Sequence, residues 1–362
     1  MVAAGGGGDV LGALLLRGLL IPQDPVPLIA TYAWERLRLD PSPGPRGLDG
    51  FVGLGQIGSY NAEVFPTSDT IPPGRSTLPR LAAEASARLF VLDPQSGIVG
   101  LTLQLKNLVD SLQVEKIVLV DIGGDVVASG SEPGLLSPLA DAMSLAACAD
   151  LGVDAEVVVA GPGLDGELDG SVVLELLQRM TAVKLGDVQD GDVRHVESLL
   201  TWHPSEATAL LSAAALGIRG TVEVRRKGNL VTLTGTGSSV WRADAQAVIR
   251  HSLLVPAIQS TRTLAEVDEA VARIAYSELE YERKKAQSLK SGSDSATDDQ
   301  LVRLMLDYAA DASSRNIDYI TMRRLAEAIG MPSLDAVRIK SVLRATGALQ
   351  LRGPLLNVRR QA

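Results

Sequence analysis

Aromatic side chains are scarce in this sequence. Three tryptophans, six tyrosines and three phenylalanines make up 3% of the 362 residues. A buried core must therefore come from Ala, Leu and Val, which suits helices packed on a parallel sheet. The single cysteine, Cys148, excludes an internal disulfide and fits a reducing, cytoplasmic setting. In an Ala/Leu-rich helix it reads as core filler rather than nucleophile. The three histidines, His195, His203 and His251, show no metal-ligand spacing and no nucleophile partner, so they read as surface or structural residues. The apolar run Leu11–Leu20 contains Arg17 and is about half the roughly 20 residues that a membrane-crossing helix needs. No basic residues precede it, so it does not read as a signal peptide. There is no Gly-x-Ser-x-Gly elbow and no Cys-x-x-Cys. No Lys-Ser/Thr follows the first glycine turn, which excludes a phosphate-cradling P-loop.

Apolar residues account for 46% of the chain, enough to bury a sizeable core, and its length suggests two domains. The net charge of −9 is unevenly placed. From Gln300 onward, 10 Lys+Arg face 5 Asp+Glu, which leaves about −14 on the residues before it. An acidic body disfavours nucleic acid or an anionic membrane as its main partner.

Short apolar runs alternate with helical patterns, the signature of βαβ units. Strands are expected at Met1–Ala4, Pro27–Ala33, Arg88–Leu92, Lys116–Asp121 and Ala155–Ala160. Helices are expected at Val10–Leu20, Leu78–Ala87, Ile98–Leu108, Pro138–Leu151 and Ser171–Thr181. The stretch Asp40–Pro73, rich in Pro and Gly, reads as a long functional loop. Beyond Val183 the rhythm changes. A hairpin, Gly220–Arg226 with Asn229–Thr234, turns at Lys227-Gly228. A long helix, Leu264–Lys290, precedes a polar linker, Ser291–Asp299. The C-terminal residues read as helices near Leu301–Ala312, Thr321–Ile329 and Leu334–Thr346, then strands Leu349–Arg352 and Leu355–Arg359. That order, with a Gly330-Met331-Pro332-Ser333 turn, is that of a winged helix. Arg323, Arg324, Arg338, Lys340 and Arg344 are candidates for phosphate contacts, or for the solvated face of a helical cap or dimerisation module. The expected fold is a Rossmann-like, mostly parallel sheet with helices on both faces over residues 1–262. A helix and linker follow at 263–299, then a winged-helix-like module at 300–362.

Three strand exits carry glycine-rich turns with acids: Gly5-Gly6-Gly7-Gly8-Asp9, Asp121-Ile122-Gly123-Gly124-Asp125 and Gly161-Pro162-Gly163-Leu164-Asp165-Gly166-Glu167. Ligands bind at the carboxyl ends of strands in open parallel sheets, so these turns are candidates to line one pocket. Gly6, Gly7 and Gly8 would bring backbone close to a ligand at a helix N-terminus. Gly6-x-Gly8-x-x-x-Gly12 is a loose relative of the dinucleotide fingerprint, with Glu35 where a ribose-binding acid would sit. Asp9 is also a candidate helix N-cap, where it would repel a bare phosphate. A carboxylate-rich pocket suits a hard cation such as Mg²⁺, sugar hydroxyls or an amine. Arg36 and Arg75 are candidate counter-charges for a phosphate. Glu132 belongs to a further polar loop. Ser137-Pro138 reads as a cap plus first helical residue, and Asp141 as an acid favoured by the helix dipole. Trp34 reads as half-buried core or a ring-stacking residue.

The segments Ala3–Val10, Val120–Asp125, Glu132–Asp141 and Gly161–Leu168, together with Glu206-Ala207, resemble those of an archaeal and bacterial family catalogued as a domain of unknown function. The resemblance spans roughly residues 1–255. It implies that the turns form one recurring unit and carries no activity with it.

The leading expectation is an enzyme that binds a nucleoside, nucleotide or sugar phosphate at the strand exits. Its reaction would be metal-assisted group transfer or hydrolysis. Asp125, Asp165 and Glu167 are the candidate catalytic residues, with Glu167 as general base, and Asp121 and Asp125 the candidate Mg²⁺ ligands. Asp9, Glu35, Arg75, Asp121, Gly123, Gly124, Glu132 and Ser137, with Gly6–Gly8, are candidate ligand contacts. The alternatives are a ligand-sensing regulator that binds DNA through the C-terminal module, and an NAD-type oxidoreductase. A homo-oligomer is compatible with the sequence, and a membrane partner is not expected.

Overall fold

A computed structural model describes residues 1–24, 26–288, 296–331 and 336–359. At its centre lies a nine-stranded sheet. Five strands run parallel, in the order Arg88–Leu92, Leu28–Tyr32, Val2–Ala3, Lys116–Ile122, Asp154–Ala160. Numbered along the chain this is 3-2-1-4-5, the Rossmann order, whose direction reverses between Val2–Ala3 and Lys116–Ile122. Antiparallel strands extend both edges: Ser239–Asp244 and Val183–Asp187 on one side, Asn61–Val64 and Gly55–Ile57 on the other.

The parallel strands are apolar on both faces because each face is covered. Ile117 and Leu119 pack against a layer that contains helices Gly97–Leu112, Leu139–Cys148 and Ala245–His251. Val118, Val120 and Ile122 point to a second layer with helices Gly7–Leu20, Leu78–Glu84, Asp190–Leu200 and Glu206–Ala215. Each fully buried Leu or Val contributes about 1.5–3 kcal/mol, so alternate residues of one strand hold both layers. Cys148 is buried in the first layer, and burial pushes its thiol up to about 12, which fits a core residue.

Several expectations are corrected. The first helix begins at Gly7 rather than Val10, with Gly6 at φ 103° as its cap residue. Asp9 is therefore the third helical residue rather than the N-cap, and its Oδ2 turns back to accept the Gly5 N–H at 2.8 Å. The stretch Asp40–Pro73 is not a plain loop. Phe51–Val52 pairs with Asp69–Thr70, and Gly55–Ile57 with Asn61–Val64 extends the main sheet. Pairing with Arg88–Leu92 overrides the glycine and proline content there. The expected helix Leu264–Lys290 breaks into Leu264–Ala272 and Glu278–Ser288 because the Ser277 hydroxyl caps a new start, accepting the Glu280 N–H. The expected linker lies outside the described residues as far as 295, and so does the turn from 332 onward.

The C-terminal segment runs helix Asp298–Ser314, strand Tyr319–Ile320, helices Met322–Ala328 and Ala336–Thr346, then strands Gln350–Arg352 and Leu355–Asn357. It has its own core of Leu301, Met305, Leu325, Ile339 and Leu356. It also shares a sheet with the body. The expected hairpin, Gly220–Val224 with Asn229–Leu233, pairs through Gly220–Val224 with Tyr319–Ile320. At that seam Glu223, 1% exposed, accepts from Tyr308, Arg315 and Arg324. Among the described residues, no helix is long and apolar enough to cross a membrane.

A Cβ on Gly12 would lie 2.4 Å from Cγ1 of Ile122, which is itself buried. Alanine is the better helix former by about 1 kcal/mol. Gly12→Ala is nevertheless expected to lose about 1–3 kcal/mol of stability through overpacking. Urea denaturation checks this, and a stabilised variant would contradict the packing described.

Candidate functional site

The reversal of strand order opens a cavity of about 190 Å³ beyond the carboxyl ends of Val2–Ala3 and Lys116–Ile122. Each acid on its floor is placed by a different backbone feature. Asp9 comes from the first turn of Gly7–Leu20. Asp121 is the penultimate residue of its strand, and its Oδ2 accepts the Val126 N–H at 3.2 Å. Asp125 opens a single 3₁₀ turn after Gly123 and Gly124, both at positive φ. Asp165 sits in the third turn, which is tied to the second: the Gly123 N–H donates to Ala160 O at 3.0 Å and the Gly163 N–H to Gly123 O at 2.7 Å. A Cβ on Gly123 would stand 2.5 Å from Cγ of Asp165, so only glycine lets the two turns approach this closely.

Asp141 completes the floor. The sequence assigned it to the helix dipole; instead it is 3% exposed beside Asp9, and its Oδ1 has no hydrogen-bond partner. Asp9, Asp121 and Asp141 bring one oxygen each within 4.8 Å of one another, as do Asp125, Asp165 and Glu167. Burial is the chief cause of raised pKa at Asp9, Asp121, Asp125, Asp141 and Asp165, and mutual repulsion adds to it. Asp9 and Asp165 rise from 3.8 to about 7, with Arg225 pulling both back. Oδ2 of Asp165, like Oδ1 of Asp141, is buried without a partner.

Glu167 is held differently. It accepts the N–H groups of Leu136 at 2.7 Å and Ser137 at 2.9 Å, the Ser137 hydroxyl, and a guanidinium N–H of Arg225 at 3.3 Å. Four donors on one carboxylate suit it to clamp the 136–137 segment. Ser137 lines the cavity, but its hydroxyl points to Glu167 rather than capping the helix.

Of the other expected residues, Glu35 and Gly8 line the cavity, and Arg75 and Glu132 do not. Glu35 borders the cavity, yet its Oε1 accepts from the Thr77 N–H and hydroxyl, both at 2.6 Å, and from the Ser76 hydroxyl at 3.2 Å. Glu132 caps its own loop through the N–H groups of Ser129 and Gly130. Those bonds outweigh burial and hold its carboxyl below the usual range. Arg75 is exposed and does not line the cavity. Gly8 lines it, whereas Gly6 and Gly7 support it from behind, against Trp34 and Glu35. The Trp34 indole N–H donates to Glu282 at 3.0 Å, which docks helix Glu278–Ser288 at the cavity mouth.

The opposite wall was largely missed. Ser205 caps helix Glu206–Ala215, accepting the Thr208 N–H. Glu206, 7% exposed, gathers Arg323 at 3.0 Å, Arg36 at 3.6 Å, the Arg225 N–H at 3.2 Å and the Thr321 hydroxyl. Burial lifts its pKa to about 7, against the pull of Arg225. His203 lines the same wall; burial lowers it to about 3, so it is neutral, and its Nε2 has no partner. No local pattern marks Arg225 or Arg323, because both reach the cavity only through the shared small sheet.

Residues 1–286 match the family described as "Protein of unknown function (DUF1152)". The chain belongs to that family. The match runs past the roughly 255 residues of the sequence resemblance and takes in Glu278, Tyr281, Glu282 and Lys285, all of which line the cavity. Thr321 and Arg323 lie beyond the DUF1152 segment. No curated protein and no solved structure matches the chain.

A carboxylate whose folded pKa is raised binds its proton more tightly folded than unfolded. The folded state is then favoured at low pH and loses that advantage as pH rises. For Asp165 the window runs from about 4 to about 7. In metal-free buffer, the stability difference between wild type and Asp165→Asn is expected to shift against the wild type across that window and flatten above it. Urea titrations at stepped pH measure it, and a pH-independent difference would contradict the burial described.

Proposed function

We propose that this protein is an enzyme acting on a small phosphorylated molecule of the ribosyl class, a nucleoside, nucleotide or sugar phosphate. The reaction is group transfer or hydrolysis assisted by a divalent cation, and the setting is cytoplasmic. The observation that carries the reading is the pair of carboxylate trios at the switch point, in which the 3%-exposed Asp141 keeps an oxygen without a partner. Oxygen-only donors with no thiol or imidazole fit Mg²⁺ or Mn²⁺. Asp121, with Asp9 and Asp141 beside it, would hold the ion, and Asp125 would face it from the neighbouring trio. Bound there, it would polarise a phosphoryl or carbonyl oxygen and offset developing negative charge.

Asp165 is better suited than Glu167 to move a proton. Its Oδ2 is unpartnered, and its pKa of about 7 lies where either protonation state is accessible. Glu167 would orient the 136–137 backbone and Arg225. Trp34 and helix Glu278–Ser288 would keep bulk water from the floor.

The competing readings find less support. A nicotinamide dinucleotide needs a ribose-binding acid, and one oxygen of Glu35, Oε1, is already taken by Thr77 and Ser76. A DNA-binding winged helix needs free cations. Arg323 and Arg324 are held by Glu206 and Glu223, and Lys340 donates to the Leu200 and Thr201 carbonyls.

A thermal-shift panel of nucleosides, nucleotides and sugar phosphates, with and without Mg²⁺, tests the proposal. A ligand at about 100 times its Kd adds about 2.7 kcal/mol of stability, a rise of several degrees. At least one phosphorylated ligand is expected to give such a rise in wild type, larger with Mg²⁺, and Asp125→Asn to abolish the Mg²⁺ increment. Failure of every ligand to stabilise wild type more than Asp125→Asn would sink the reading.

A further inference from the structure

The cavity is polarised. Its floor is acidic, and its other wall presents guanidinium groups. Arg36, Arg225 and Arg323 all line it and surround one buried carboxylate, Glu206. Their donors are far from saturated. The Arg36 guanidinium reaches Glu206 as an ion pair at 3.6 Å. The Arg225 guanidinium makes one bond, to Glu167 at 3.3 Å. Arg323 uses NH1 on Glu206 and Nε on Glu327. A guanidinium carries five N–H donors in a rigid fork matched to oxyanions.

Two neighbouring features add donors on the same side. Helix Gly7–Leu20 has no side-chain cap, so the N–H groups of its first turn remain available at Gly8, which lines the cavity. His203 accepts the Ser205 N–H at Nδ1, which leaves Nε2–H as a buried donor without a partner in a residue 7% exposed. Donors from five separate segments thus converge on the side of the cavity where Glu206 lies.

We infer that Arg36, Arg225 and Arg323 form an anion subsite for the phosphate group of the ligand, and that the C-terminal module completes it by supplying Arg323. Oε2 of Glu206 holds the guanidinium groups of Arg36 and Arg323, while its Oε1 accepts the Thr321 hydroxyl and the Arg225 backbone N–H, and Glu167 holds the Arg225 guanidinium. Phosphate fits better than a carboxylate because it offers three oxygens and up to two charges to several forks at once. The inference rests on the reading of a phosphorylated ligand in this cavity. It adds that residues beyond 286, outside the segment shared with the family, belong to the binding site.

Calorimetric titration of the full chain with inorganic phosphate and pyrophosphate, at constant ionic strength and without divalent cation, tests it. Mn²⁺ binding is followed separately by electron paramagnetic resonance. Arg323→Gln is expected to weaken pyrophosphate binding on the order of tenfold or more, while Mn²⁺ binding stays at the wild-type level. Arg323→Lys, which keeps the charge and loses the fork, is expected to fall between. If circular dichroism shows Arg323→Gln to be unfolded, Arg36→Gln carries the same expectation, since it reaches the same Glu206 oxygen. Pyrophosphate binding that depends on Arg323 in a protein that binds no Mn²⁺ would support this subsite and reject the cation reading. Wild-type binding of Mn²⁺ without phosphate, or arginine variants that bind pyrophosphate as wild type does, would overturn the subsite and leave the cation reading standing.

Discussion

Repulsion among Asp9, Asp121, Asp125, Asp141 and Asp165 opposes folding, and so does the removal of all five from water. The chain holds them together by anchoring each to backbone that the sheet has already fixed. Two strand exits, one helix start and one helix first turn converge because the strand order reverses between Val2–Ala3 and Lys116–Ile122. Gly123 lets the Asp165 turn lie directly on the Asp125 turn, and Gly12 lets the Asp9 helix settle on Ile122. The packing of two helical layers on five apolar strands offsets the electrostatic penalty. Local conflicts of this kind are expected at functional sites.

The body and the C-terminal segment meet through two buried glutamates. Glu223 binds Tyr308, Arg315 and Arg324, while Glu206 binds Thr321 and Arg323. Without the module Glu223 would be a costly buried charge, and without the body Arg324 would lose its carboxylate while Arg315 and Arg323 kept Asp311 and Glu327. The basic character of the last residues is explained in large part by this seam, where acid and base pair within one chain. The seam also brings Arg323 to the wall facing the acidic floor.

The sequence revealed the fold because its periodicities are local. Lys116–Ile122 and Asp154–Ala160 are continuous apolar runs that end in Gly-Asp turns, and sheet physics sends such turns to one edge. The same reasoning located Asp9, Asp121, Asp125 and Asp165 in residue number before any geometry was known. Asp141 was hidden because an acid in the first turn of a helix already has a sufficient local explanation. Glu35 and Glu132 looked like ligand contacts, since nothing local announces that Thr77 or Ser129 will occupy them. The strands Asn61–Val64 and Gly55–Ile57 were obscured by neighbouring prolines and glycines, and are recruited by an edge that pairs across distance. Arg225 and Arg323 depend on a sheet built from segments almost 100 residues apart, which no window along the chain can register.

The central claim is that the carboxylate floor is a cation site rather than a set of protonated acids. Crystals soaked in Mn²⁺ near neutral pH and measured for anomalous scattering address it directly. A cation site gives a strong peak within about 2.1 Å of oxygens from Asp9 and Asp121, with Asp141 Oδ1 drawn toward the ion or a water bound to it. Carboxylates that instead bond to one another in pairs, with no anomalous peak between them, would contradict it.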